Sequence, residues 1–532
     1  MMNKTKFSPC WFYLGLLTVS LSLYVYFFAV GNAVAMEGVF LWSTLILLLF
    51  ACRPGSALHR ISPDSTEWRE KVLLILVIGI TISASIIPMS YDPIWNGERP
   101  DHRNQYELLA ESFLEGKLYI EYGDEEELLL LNNPYDRNER NETGIRGHWD
   151  HSYYNGKYYM YFGVVPVLLL FLPFRLLTGT ALTTYHATQI FAAFFIIGMF
   201  SLFRLLRKRF FRSMPYGLYL LLSAALSIAS IFYSISEPAL YCTAITAAIC
   251  LEIWSIYFFC KAVWVLKEEN EQLDHAVVGA LLGALTFGCR PTIGLANLIV
   301  LPCLYTFLKQ RTLTPPLFRK LVLAASPYFF VAIVLMAYNY ARFENPFEFG
   351  QSFQLTVQDQ RALGSLSDPE VRLRLINETI QNFTKFSNVT DTFPYVNYSS
   401  VFFNFPIFFF LLGFIRESVQ RKVRKHHLRF FLTVLALIPL ITTFLSVLWS
   451  PWLLERYRMD IYYLMSILCF MSLGFLQDVS EGKRKVYFSS LASFCAVGTL
   501  ISSFLLFFCS KKSTMPQLVE SMQNALSFWQ YF

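Results

Sequence analysis

Met160-Tyr-Phe-Gly-Val-Val-Pro-Val-Leu-Leu-Leu-Phe-Leu-Pro-Phe-Arg-Leu-Leu177 is apolar enough to cross a bilayer, and whether it does so sets the topology of the whole chain. If it crossed, Arg204-Leu-Leu-Arg-Lys-Arg209 would face outward and every later basic loop would invert. Cytoplasmic loops of membrane proteins collect Lys and Arg, so that arrangement would break the positive-inside bias repeatedly. Pro166 and Pro173 also suit a broken helix covered by protein better than a straight span. The segment is therefore placed in or near the outer interface.

Outward from this point the chain reads as an all-α polytopic membrane protein. Of its 532 residues 55% are apolar and 15% charged, against about 25% charged in soluble domains. A hydrocarbon core of about 30 Å takes about 20 helical residues to cross. Runs of that kind are expected at 11–30, 36–52, 72–90, 183–203, 214–233, 237–260, 275–290, 294–308, 320–340, 400–415, 430–449, 456–477 and 486–509, about thirteen in all. The first run is long enough, and followed closely enough by a second, to read as an anchor rather than a signal peptide.

With the N-terminus in the cytoplasm, the inward segments 1–10, 53–71, 204–213, 261–274, 309–320, 416–429 and 478–485 hold 26 of the chain's 44 Lys and Arg. Two large loops then lie on the extracytoplasmic side, 91–182 and 342–399. The expected organisation is a transmembrane hairpin and cytoplasmic loop (1–71), a transmembrane core carrying the first outer loop (72–341), the second outer loop (342–399), and C-terminal helices with a tail (400–532). The membrane is the plasma membrane if the source is bacterial and the endoplasmic reticulum if it is eukaryotic. The net charge of +6 follows from the loop bias and does not call for nucleic acid. The ten cysteines show no C-x-x-C spacing, and most sit inside apolar runs as small packing residues.

Asn104 to Gly116 is predicted to form a short amphipathic helix lying flat on the membrane. Tyr106, Leu109, Ala110, Phe113 and Leu114 fall on one face and Glu107, Glu111 and Glu115 on another. Five acids between Glu121 and Glu127 read as a solvated surface. The second loop holds Asn-x-Ser/Thr sequons at Asn377, Asn382, Asn388 and Asn397.

Three stretches carry a family likeness: Asp101-His-Arg-Asn-Gln-Tyr-Glu-Leu-Leu-Ala-Glu-Ser-Phe-Leu-Glu-Gly116, Asn155-Gly-Lys-Tyr-Tyr-Met-Tyr-Phe-Gly163, and Leu170-Phe-Leu-Pro-Phe-Arg-Leu-Leu-Thr-Gly179. They lead into the basic end Phe203-Arg-Leu-Leu-Arg-Lys-Arg-Phe-Phe211, and Glu455-Arg-Tyr-Arg-Met-Asp460 opens a late span. This pattern resembles the GT-C integral-membrane glycosyltransferases, in the branch of the protein mannosyltransferases and aminoarabinose transferases. The resemblance covers about a quarter of the chain. The chain departs from the family in its N-terminal hairpin, in lacking the acidic doublet of mannosyltransferases, and in the spacing of Asp101 from its Tyr.

The resemblance implies a GT-C-like core and a sugar donor on a polyprenyl phosphate. A hydroxyl on a lipid, glycan or protein acceptor displaces the lipid phosphate with inversion. Such chemistry needs a carboxylate to take the hydroxyl proton and fixed positive charge for the leaving phosphate. The expected base is Asp101, with Glu98 and Asp150 next; for Asp101 the competing role is a helix N-cap. Asp150 sits in His148-Trp-Asp-His151, a weak metal pattern, and no cofactor is assigned. For the phosphate, the candidates are Arg290, Arg456, Arg458, Lys157 and Arg342, each of which could instead be snorkelling to the interface. Tyr106, Tyr154 and Tyr158 are candidate sugar or acceptor contacts, and the aromatic run around them is equally a membrane-interface belt. A transporter or flippase of lipid-linked saccharides, or a polysaccharide polymerase or ligase, are the alternatives. No convincing internal repeat favours the transporter.

Overall fold

The computed structural model describes residues 9–60, 67–91, 104–309, 311–362, 367–386, 389–448 and 453–532. The protein is an integral, multi-pass, all-α membrane protein. Among the described residues, eleven helices are long and apolar enough to span. They coincide with eleven of the thirteen expected runs. The other two differ for local reasons. The run 275–290 falls in Glu269–Phe287, whose first turns carry Glu269, Glu271 and Asp274. The run 400–415 is a four-residue helix, Val401–Asn404, followed by a ten-residue 3-10 stretch, Pro406–Ile415.

Met160–Leu177 becomes a π-helical turn, Val167–Phe171, continued by Leu172–Thr178 and closed by Gly179 in the left-handed conformation. The apolar helix Val167–Thr178 has twelve residues, which at 1.5 Å per residue reach only about 18 Å. The predicted amphipathic helix forms at Gln105–Leu114. Tyr106, Leu109 and Ala110 are buried, with Tyr106 stacked on Phe171 at 5.1 Å, so this face rests on the short apolar helix. Leu114, expected on the same face, is half exposed instead.

At the centre stands Glu455–Val479, whose apolar stretch is wholly buried. Thr184–Phe210, Tyr216–Ser236 and Leu240–Trp264 pack around it into one continuous core. The N-terminal hairpin, Pro9–Val30 and Ala33–Ala51, lies apart and packs against Pro516–Leu526. There Trp42 donates its indole N–H to the Leu526 carbonyl at 2.8 Å. Gly38 abuts the Ala525 backbone, where a Cβ would overlap the carbonyl.

One small sheet breaks the helical pattern. His151–Tyr154 and Lys157–Met160 form an antiparallel hairpin with His151 opposite Met160. Its turn residues Asn155 and Gly156 both have positive φ, 47° and 70°. Asn-Gly is the preferred pair for such a two-residue turn, because its twist matches that of the strands. The hairpin is flanked on both sides. The Ile120 N–H donates to the Tyr158 carbonyl at 2.8 Å, and the Tyr153 N–H donates to the Phe353 carbonyl at 2.9 Å. The segment after Pro315–Phe343 thus runs along the segment before Thr184–Phe210.

A candidate active site

A cavity of about 670 Å³ opens where the two loops meet the bundle, lined by Asp150, Tyr161, Tyr241, Arg290, Arg342, Gln354, Arg456 and Tyr457, with Phe287, Leu335, Phe347 and Val357 forming apolar wall. Each charged side chain arrives there for a local reason.

Asp150 precedes the hairpin in the left-handed region, φ 58°, a conformation Asp tolerates better than most residues. Its N–H donates to the Leu355 carbonyl at 2.9 Å. Its carboxylate accepts from the Tyr241 hydroxyl and from Gln354 Nε2 at 2.8 Å. Burial lifts its pKa above the ordinary carboxylate value, opposed by the Tyr241 hydroxyl, the Arg456 charge and the Gln354 amide. Desolvation disfavours the charged form, so this is a carboxylate with raised proton affinity.

Arg290 sits between Glu269–Phe287 and the helix opened by Pro291. The residue before proline is pushed to extended backbone, and Arg290 has φ −155° and ψ 105°. Its Nε donates to both oxygens of Asp460, at 2.9 and 2.8 Å. The Thr292 hydroxyl donates to the same carboxylate at 3.1 Å. Asp460 is fully buried on the central helix, and Arg290 stays 20% exposed. Nε is therefore spent on Asp460 while the guanidinium still reaches the cavity.

Arg456 lies in the 3-10 turn, Glu455–Arg458, that opens the central helix. Its guanidinium rests 4.2 Å from the centroid of the Tyr241 ring and 5.4 Å from that of Tyr457. Tyr241 thus holds Asp150 by its hydroxyl and Arg456 by its ring face.

The other candidates separate. Arg342 lines the cavity but is buried, with Nη1 donating to the Met160 carbonyl at 3.2 Å and Nη2 to Asn339 at 2.7 Å. Arg458 turns away, donating to Asn382 at 2.9 Å and pairing with Glu455. Asn382, one of the four sequons, is consequently buried, and its amide is not open to glycosylation in the folded chain. Lys157 is exposed on the hairpin, 4.4 Å over the Tyr119 ring. Tyr154 donates to Glu344, and Tyr158 and Tyr106 are buried. None of these five lines the cavity. Asp101, Glu98 and sequon Asn388 lie outside the described residues.

His148 and His151 do not converge on a common ligand position. His148 contacts Asp124 at 3.0 Å. His151 Nε2 accepts from the Tyr122 hydroxyl at 2.8 Å while Nδ1–H donates to the Trp149 carbonyl at 3.0 Å. Burial lowers the pKa of His151 to about 4. Among the described residues no three His, Cys, Asp or Glu side chains are grouped to hold a metal ion.

Residue-by-residue reading of the sequence missed Tyr241, Gln354, Asp460 and the hairpin. The hairpin had a signal in Asn155-Gly156 between aromatic runs. Comparisons with protein-family models, curated proteins and solved structures find no match for this chain.

Proposed function

We propose that this protein is an inverting membrane glycosyltransferase that moves a sugar from a polyprenyl-phosphate donor to an acceptor hydroxyl on the extracytoplasmic side. The observation that carries the reading is the cavity in which a buried carboxylate, Asp150, shares Tyr241 with Arg456, and which Arg290 and an apolar wall also line. The likeness of Asp101–Arg212 to the GT-C enzymes supports it from the sequence side.

In this reaction the acceptor oxygen attacks the anomeric carbon, the bond from that carbon to the phosphate oxygen breaks, and the polyprenyl phosphate leaves. The hydroxyl proton passes to a carboxylate. Asp150 has the raised proton affinity and the position for that task, and Asp101 is its rival. Arg290 and Arg456 stabilise charge growing on the leaving phosphate, an interaction stronger in the transition state than in the ground state. The apolar wall accommodates the first isoprene units. We count thirteen membrane crossings, with Glu269–Phe287 and the segment around Pro406–Ile415 completing the eleven, and a cytoplasmic N-terminus that puts the cavity on the outer face.

The test is transfer of radiolabelled sugar in membranes supplied with polyprenyl-phosphate sugars. Arg290→Gln and Arg456→Gln should each slow transfer by about 10²-fold or more at unchanged protein level. Translocation of intact lipid-linked sugar without any glycosyl transfer would overturn the reading in favour of a transporter.

A further inference from the structure

We infer that a second cavity on the other side of Asp150 binds the acceptor, and that this acceptor is a saccharide carrying an anionic group. The inference rests on the transferase reading for the word acceptor. The binding site itself stands on the geometry. The cavity encloses about 1080 Å³ and shares Trp149, Asp150 and Tyr241 with the first. Those three residues are the threshold between two compartments, and the carboxylate is at their boundary.

The two compartments differ in lining. The first has a long apolar wall. The second presents Arg137, Arg140, Arg146, Asn141 and His148, and among the described residues Asp150 is the one carboxylate that lines it. Arg140 is a structural tie, because it is buried and donates to the Pro134 carbonyl at 2.6 Å and the Thr356 carbonyl at 2.9 Å. Arg137 and Arg146 are exposed, and among the described residues neither forms an ion pair.

Three of the nearby acids are already engaged, and Glu142 is exposed on the same short helix. Glu139 accepts from the Asn132 and Asn133 N–H groups at 2.7 and 3.0 Å. Asp136 caps its own helix through the Asn138 N–H at 2.9 Å. Asp124 meets His148. Two guanidinium groups in a concave wall, with no carboxylate partner among the described residues, suit a phosphate or carboxylate.

Trp149 supplies the saccharide part of the argument. Its indole is 47% exposed at the threshold, with Arg137 5.7 Å from the ring centroid. A large rigid aromatic face with a polar edge suits the apolar face of a sugar ring. A sugar resting on Trp149 would put a hydroxyl toward Asp150 and an anionic substituent toward Arg137 and Arg146.

The experiment uses the full chain in phosphatidylcholine nanodiscs, with no donor, and calorimetric titration of trehalose 6-phosphate against trehalose. The phosphorylated disaccharide should bind at least about tenfold tighter. Arg137→Gln/Arg146→Gln should erase that preference with the unfolding temperature unchanged, and Trp149→Ala should weaken binding of both sugars. Equal affinities, binding by neither, or a preference that survives in the double variant would overturn the inference. So would a double variant whose only defect is weaker association with phosphatidylglycerol vesicles, since the arginines would then face lipid headgroups. Because no donor is present, absence of glycosyl transfer in the earlier assay leaves a positive binding result intact. Unaltered transfer to acceptors in the double variant would refute this inference alone.

Discussion

Replacing Asp150 by Asn should separate folding from function. The side chain keeps its volume, and its oxygen can still accept from the Tyr241 hydroxyl. Its new amide meets Gln354 Nε2, which stands 2.8 Å from the carboxylate. Rotating the Gln354 amide by half a turn brings its oxygen there, so no donor is left facing a donor. Two charge-assisted hydrogen bonds become neutral ones, a loss of about 1–3 kcal/mol in total. Against this, burying a carboxylate costs several kcal/mol, which Asn avoids. The two effects nearly cancel, so stability at pH 7 should stay within about 1 kcal/mol of wild type.

The pH dependence follows from the sign. Asp150 has its folded pKa raised by burial. Between the ordinary carboxylate value and that raised value, the folded state keeps a proton that the unfolded state has released. Wild-type stability therefore falls as pH rises through this window, and the Asn variant lacks that slope. Transfer, in contrast, should drop by about 10²–10⁴-fold if Asp150 takes the acceptor proton. Differential scanning fluorimetry in detergent and the membrane transfer assay read the two quantities on one preparation. Transfer within about tenfold of wild type would remove Asp150 from the proton-transfer step and leave Asp101 and Glu98 as the candidate bases.

Asp460→Asn keeps an acceptor for Arg290 but not the charge, so transfer should fall by about 10-fold or more through a raised donor KM; an unchanged KM would show that Asp460 does not position Arg290. Protonating His151 breaks its acceptance of the Tyr122 hydroxyl. Its folded pKa is lowered to about 4 from an unfolded value near 6.5, so the unfolded state binds more protons between these values. Stability of this region should fall by up to about 3 kcal/mol as pH drops through that window. Hydrogen exchange over 119–125 and 148–160 should accelerate there in the wild type and not in His151→Gln. Gly163→Ala would drive its Cβ into the Gly288 and Cys289 carbonyls beside Arg290. Backbone cannot step aside as a flexible side chain can, so a loss of about 1–3 kcal/mol and a distorted cavity are expected. Thermal unfolding together with donor KM would show this, and an unchanged pair would refute it.

Local sequence carried much of this structure. Apolar run length located eleven helices long enough to span, because a bilayer demands about 20 helical residues wherever a chain crosses it. Asn104 and Gly116 bracketed the amphipathic helix that forms at Gln105–Leu114. Pro291 accounts for the extended backbone at Arg290. All of these are decided within a few residues along the chain. What required the tertiary structure was selection among equivalent charges. Arg456 and Arg458 look alike in sequence, yet residues two apart on a helical turn do not share a face. One lines the cavity and the other is bound to Asn382. Asp150 meets Gln354 across 204 positions, and Arg290 meets Asp460 across 170. Such pairings depend on how helices and loops pack in three dimensions, and nothing local in the chain encodes them.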